Sequence, residues 1–385
     1  MYKVIKASAL SLKPKRWDKP YNADKLEHYI RKAAEEEPDL IVAPEGVLEG
    51  YVTGEVVENP ELGKEMLSIA EPMDGEYVKR FRDLARELNK CLCFGFAERR
   101  GGDIYNTSIF IDGDGEILGD YQKTQFAEGY IDDWYFNRIG KKLRAFDTPY
   151  GRAGILICND RWNPMIARTM VLDGAQMLLI NSYGMKNKLQ NETVLGRARE
   201  NGVPIVEANV GVNMIVSKGE VVAYKWGNDC ITTAEIEIPM NVGRFTEHAR
   251  EYEKQYLELQ GPEMNRRYHN TCYCGRTTFC SGKFDDKNDS FSPNPFDFKP
   301  SIASATLFSS VYKPIILFLF VNTLTPHSRI EAGISFRPIL IFSRFIIASF
   351  MSNNGTSGKI FEKTNMPKHN HAKVAITISN SIILG

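Results

Sequence analysis

The sequence predicts an α/β protein over residues 1–270, in which helices cover sheets on one face. Two observations carry this. Short apolar or alternating stretches of strand type take turns with stretches of helical period. Hairpin-like strand pairs are mixed among the strand–helix units, which points to covered sheets rather than one doubly wound sheet. A third observation sets the limit. About 78 of the first 270 residues are charged against about 18 of the last 115, so the pattern stops near residue 270.

The elements follow in order. "YKVIKASAL" alternates in polarity as a strand, and "NADKLEHYIRKAAEEE" has a helical period with an Asn N-cap. "DLIVAPEG" is a buried strand ending at Pro44 and Glu45, and "GEYVKRFRDLARELN" is an amphipathic helix. "KCLCFGFAE", "NTSIFI" and "EILGDYQKT" are strands, the last two joined by the turn "DGDGE". "RAGILIC", "AQMLLINS", "VPIVEANVG", "NMIVS", "EVVAYKW" and "CITTAEIEI" are further strands, with helices at "NPMIARTMVLDG" and "ETVLGRARENG". No Gly-rich turn follows the first strand, which disfavours a doubly wound nucleotide-binding fold.

Residues 271–385 read differently. They are rich in Ser and Phe, and their apolar runs have neither period nor caps, so this tail is expected to be an atypical extension rather than a native folded domain. At the junction, His269, Cys272, Cys274 and Cys280 raise the idea of a zinc site, but the paired CxxC knuckles are missing and no metal is expected. Seven cysteines without framework spacing read as reduced thiols in a cytoplasmic protein. A formal net charge of +0 and a pI of about 7.0 point away from nucleic acid. The first residues lack the uninterrupted apolar core of a signal peptide, and no apolar run reaches the length of a membrane span.

In an α/β fold, function gathers at the carboxyl ends of strands. Three such ends carry reactive side chains: Glu45 after "LIVAP", Lys123 after "ILGDYQ" and Cys158 after "GILI". Cysteine chemistry needs a thiolate. No histidine lies between residues 29 and 247, so a buried carboxylate, Glu45, is the better base. Lys123 then supplies charge for thiolate and oxyanion, and the backbone N–H of Asn159 is a second oxyanion donor. Taken singly, each residue has a bland reading: core thiol, turn acid, solvated lysine.

"APEG", "YQK" and "GILICNDRWNP", with "NTSIFIDGDGEILGDYQK", "GAQMLLINSYG" and "RARENGVPIVEANVG", resemble the signatures of the nitrilase superfamily, the carbon–nitrogen hydrolases, over about residues 3–240. The resemblance implies a four-layer α-β-β-α sandwich that forms homodimers or higher homo-oligomers. It also implies Glu45 as general base, Lys123 as oxyanion stabiliser and Cys158 as nucleophile, with no cofactor. Many members carry a second glutamate after the lysine. Glu128 is the first choice here, ahead of Asp132 and Asp133. "CNDR" is similar to N-carbamoyl-amino-acid amidohydrolases, which would make Arg161 the holder of a substrate carboxylate. The histidine those enzymes place two residues after the lysine is Gln125 here, and an Asp160–Arg161 pair is the structural alternative.

The function expected is hydrolysis of an amide or N-carbamoyl group through a Cys158 thioester. Acyl transfer on the same scaffold, or an inactive dimeric binding protein, are the alternatives. The cationic lysine also leads one to expect a Cys158 thiol of depressed pKa, alkylated far faster than Cys91, Cys93 or Cys230.

Overall fold

Strand β2 (Leu40–Val42) shows why this chain folds in four layers. Leu40 and Val42 enter one core and Ile41 enters another, so both faces of the strand are buried. The neighbouring β3 (Cys91–Arg100) repeats this, with Cys91 and Cys93 on one side and Leu92 and Phe94 on the other. Period-two alternation of two apolar sets is what a sheet between two apolar layers requires. The computed structural model describes residues 1–127, 138–184 and 187–270, and nothing is described of the side chains of residues 57, 60 and 267–270. Glu128, Asp132, Asp133, the side chain of His269, Cys272, Cys274, Cys280 and the whole tail 271–385 lie outside those residues.

The elements run β1 (Tyr2–Ser11), α1 (Lys19–Ala34), β2, α2 (Thr53–Glu58), α3 (Gly63–Ile69), α4 (Glu76–Leu88), β3, β4 (Asp103–Ile111) and β5 (Ile117–Gln122). Next come β6 (Phe146–Thr148), β7 (Gly151–Ile157), α5 (Pro164–Leu172), β8 (Met177–Ser182), α6 (Lys188–Asn201), β9 (Ile205–Asn209) and β10 (Val212–Ser217). The order closes with β11 (Glu220–Trp226), β12 (Cys230–Pro239), α7 (Thr246–Gln255) and α8 (Gly261–Asn270), with a π-helical turn over Tyr256–Gln260 between the last two. Two six-stranded sheets result, ordered β12-β1-β2-β3-β4-β5 and β11-β10-β9-β8-β7-β6. Each has a parallel centre, β1-β2-β3 and β7-β8-β9, flanked by antiparallel strands.

Helix α1 buries Ala23, Leu26, Ile30 and Ala33, at three- and four-residue spacing, and α4 buries Val78, Phe81, Leu84 and Ala85. Both pack on the outer face of the first sheet, against Ile41, Leu92 and Phe94. Removing a large buried ring such as Phe94 is expected to cost about 3–5 kcal/mol. Helices α5 and α6 pack on the second sheet, with Ile166, Met170, Val194 and Ala198 in its core. Asn181 on β8 ties the two sheets together. Its amide donates to Ala43 O at 2.6 Å, and its Oδ1 receives the Cys93 thiol at 3.6 Å.

The expected start of α1 needs correction. The N-cap is Asp18, whose carboxylate accepts from Tyr21 N at 3.2 Å, and Pro20 stands in the first turn. Asn22 is instead buried, with its amide donating to Lys15 O and Leu48 O at 2.7 and 2.8 Å. Helices α2 and α3, strand β6 and the helical arm 246–270 were not anticipated. The stretch "GYVTGEVVENPELG", residues 50–63, holds α2 and the start of α3.

Candidate active site

The three strand ends bring their side chains to one buried place, each by a different local device. Beyond β2 the chain stays tied to β3, with Ala43 N donating to Cys93 O at 2.7 Å and Gly95 N to Pro44 O at 3.0 Å. The approach is so close that a Cβ on Gly95 would stand 2.9 Å from Glu45 Cα. Glu45 is thereby held inside, with no exposed surface.

Lys123 follows β5 and stays in register with β4, its N–H donating to Asn106 O at 2.8 Å. Its ammonium meets Glu45 Oε1 at 2.7 Å, both side chains fully buried. Asn106 Nδ2 donates to the same oxygen at 2.7 Å, and Tyr183 N donates to Oε2 at 2.9 Å. Three donors thus fix the carboxylate, as a buried charge requires.

Cys158 opens a 3-10 turn, Cys158–Trp162, directly after β7. Its φ is +47°, the left-handed region that side-chain-bearing residues seldom adopt. The turn takes the thiol out of the strand direction, and Sγ lies 3.7 Å from Tyr183 O. Tyr183 therefore joins acid and thiol, its amide on Glu45 and its carbonyl facing Cys158. Tyr183 stacks on Tyr51 at 4.8 Å between ring centroids, and the Lys123 ammonium stands 5.8 Å from the Tyr51 ring.

Burial pushes the Cys158 thiol up to about 12, and the Glu45 charge adds to this, while Lys123 and Arg161 pull it down. The expected depressed pKa is thus corrected. Burial and the acid outweigh the lysine, and Cys91 and Cys93 are also pushed to about 12. The resting sulfur therefore keeps its proton.

Asp160 does not pair with Arg161. It accepts from Ile157 N at 2.9 Å, Gln125 N at 3.0 Å and Tyr121 Oη at 2.9 Å, so it fastens the cysteine turn to the segment after Lys123. Burial raises its carboxyl to about 6, against the opposing pull of Lys123 and these donors. Arg161 is buried behind the turn. It donates to Cys158 O at 2.6 Å, to Glu207 and to Ser182 Oγ. The carboxylate it meets is the chain's own Glu207, so a substrate carboxylate would have to displace that partner. Asn159 gives its side-chain amide to Phe126 O at 3.2 Å and accepts from Gln125 Nε2 at the same distance. As the second residue of the turn, its N–H has no partner within the helix.

Sequence reading missed Asn106, Tyr183, Glu49 and Glu207, and it gave Asp160 the wrong partner. Asn106 had a signal, since it opens the stretch "NTSIFI", which lies in β4, the strand paired with β5 ahead of Lys123. Glu49, four residues after Glu45, is 3% exposed and is pushed to about 7 by burial, against hydrogen bonds that include Ala97 N at 2.9 Å.

Residues 6–247 match the family model described as carbon-nitrogen hydrolase. The chain is 32% identical over 201 residues to a citrullinase of Francisella tularensis, covering 49% of this chain and 68% of that one. It is 31% identical over 231 residues to an N-carbamoylputrescine amidase of Oryza sativa, covering 56% of this chain and 75% of that one. An amidase from Nesterenkonia sp. shares the fold, with a TM-score of 0.53 at 19% identity over 64% of this chain and 96% of that chain.

Proposed function

Since the chain belongs to the carbon–nitrogen hydrolase family, we propose that it is a thiol-dependent amidohydrolase acting on the amide or N-carbamoyl group of a small molecule. The observation that carries this is the buried Lys123–Glu45 pair joined through Tyr183 to Cys158. The family's roles are assigned accordingly. Glu45 takes the proton of Cys158, and the sulfur attacks the carbonyl carbon. Lys123 and the Asn159 N–H hold the oxyanion that forms. The tetrahedral adduct collapses as Glu45 returns the proton to the leaving nitrogen, which departs as ammonia or amine. Glu45 then takes a proton from water, the hydroxide attacks the thioester, and the acid leaves as the thiol is restored. No step calls on a metal or organic cofactor.

The relatives' names favour ureido substrates, and the proposed order of trial is N-carbamoyl amines and amino acids, then ω-amides, then nitriles. The proposed assembly is a homodimer in the cytoplasm. Among the described residues, no helix is long and apolar enough to cross a membrane. Ammonia release from one of these classes, abolished in Cys158→Ala, is the expected result. Hydrolysis that survives Cys158→Ala, or no turnover in any class, overturns the reading.

A further inference from the structure

Beyond the family match, which ends at residue 247, the chain adds a helical arm that turns back under the site. Helix α7 is anchored by ion pairs. Glu253 accepts from Leu143 N at 2.6 Å and from Arg144 at 2.7 and 2.9 Å, and Arg250 meets Asp173 at 2.5 Å. The π-helical turn 256–260 then changes the helix register, a device found often at functional sites. It sets two fully buried side chains, Tyr256 and Asn265, against the residues after Lys123. Asn265 accepts from Phe126 N and donates to Thr124 O at 3.0 Å, bracketing Gln125 from both sides. Tyr256 Oη receives the Thr124 hydroxyl at 3.3 Å. Gln125 N, between the two clamped residues, is the donor to Asp160 in the cysteine turn.

We propose that this arm is a positioning element of the site: Asn265 and Tyr256 clamp Thr124–Phe126 and thereby set where the Lys123 ammonium stands relative to Glu45 and Cys158. This rests on the role given to Lys123 above. A side chain held through its neighbours' backbone is placed more firmly than one on a free loop end, and small misplacements of a charge-stabilising group cost much rate.

The test uses the full chain and two readouts, one of which needs no substrate. Alkylation of Cys158 by iodoacetamide at pH 8 is followed by peptide mass, and kcat and KM are measured on any amide the wild type hydrolyses. Asn265→Ala is expected to slow alkylation about fivefold or more, because the lysine no longer lowers the thiol's proton affinity as well. It is also expected to lower kcat about tenfold with KM within about twofold. Asn265→Asp keeps the acceptor for Phe126 N but loses the donor to Thr124 O, and should fall between. Leu259→Ala, exposed on the same arm, should change neither readout. Alkylation of folded Asn265→Ala that matches or exceeds the wild-type rate overturns the proposal. If that variant does not fold, Tyr256→Phe decides, with about twofold slowing in favour and an unchanged rate against. A wild type with no hydrolase activity would count against the proposed function, while the alkylation series would still decide the arm's role.

Discussion

Lys123 Nζ and Glu45 Oε1 lie 2.7 Å apart, and neither side chain reaches solvent. Such a pair is worth little as net stability, because desolvation offsets attraction, but removing one member strands the other charge. Lys123→Met is therefore expected to destabilise the chain by about 3–5 kcal/mol. The double variant Glu45→Gln/Lys123→Met should recover much of that loss while staying inactive. Urea unfolding of wild type, singles and double gives the coupling. Equal stabilities for the single and double variants would remove the stranded-charge account.

The Glu45 charge helps hold the proton on Cys158. Glu45→Gln removes the negative charge that raises the thiol pKa while Lys123 and Arg161 still lower it, so the thiol pKa should fall. Alkylation of Cys158 at pH 8 should become about tenfold faster, one pKa unit being tenfold in thiolate. With Glu45 in its proposed role, hydrolysis should drop by about 10²–10⁴-fold, the usual loss of a general base. Slower alkylation in Glu45→Gln would contradict this ordering of charges.

Cys158 holds its left-handed φ of +47° for the sake of where the sulfur points. Cys158→Gly should be more stable than Cys158→Ala by about 1 kcal/mol, since glycine alone is unstrained there. Both variants should be inactive. Thermal unfolding of the two side by side is sufficient, and an alanine variant that melts higher would speak against strain at this position.

Glu49 gives the fold a pH signature. Its carboxyl is pushed to about 7 from an ordinary 4.5, chiefly by burial. Below pH 4.5 it is protonated folded and unfolded, so the contribution is flat. Between 4.5 and 7 the unfolded chain releases this proton while the folded chain keeps it, so stability falls as pH rises, and it levels off above 7. The stability of wild type relative to Glu49→Gln should therefore decline by about 3 kcal/mol from pH 4.5 to pH 7. Denaturant unfolding at four pH values checks the slope. A rising difference would reverse the assignment.

Much of this protein was legible along the chain. The strands and main helices declare themselves because burial on one or both faces writes a period into neighbouring residues, as in Leu40–Val42 and in Ala23, Leu26, Ile30 and Ala33. The strand-end positions of Glu45, Lys123 and Cys158 follow from the same local signal. Short-range pattern fails where a partner is remote. Nothing near Asp160 marks Tyr121 as its donor, and nothing near Arg161 marks Glu207 as its acid, 46 residues on. Helix α1 is capped by Asp18 rather than Asn22 because Asn22 Oδ1, the atom a cap would use, accepts from Lys15 N, and its amide donates to Lys15 O and Leu48 O.

The state of the sulfur was likewise settled only in three dimensions. A lysine in the sequence suggests a thiolate, yet a pKa is a balance of distances and dehydration. Here burial and the Glu45 charge act against Lys123 and Arg161, and the proton stays. Residue order by itself determined the strands, the main helices and the strand-end positions of Glu45, Lys123 and Cys158, because those depend on neighbours within one element. Tertiary packing alone decided which charges meet and how the helical arm reaches the lysine segment, because those depend on groups 46 to 141 residues apart brought within 3 Å or so.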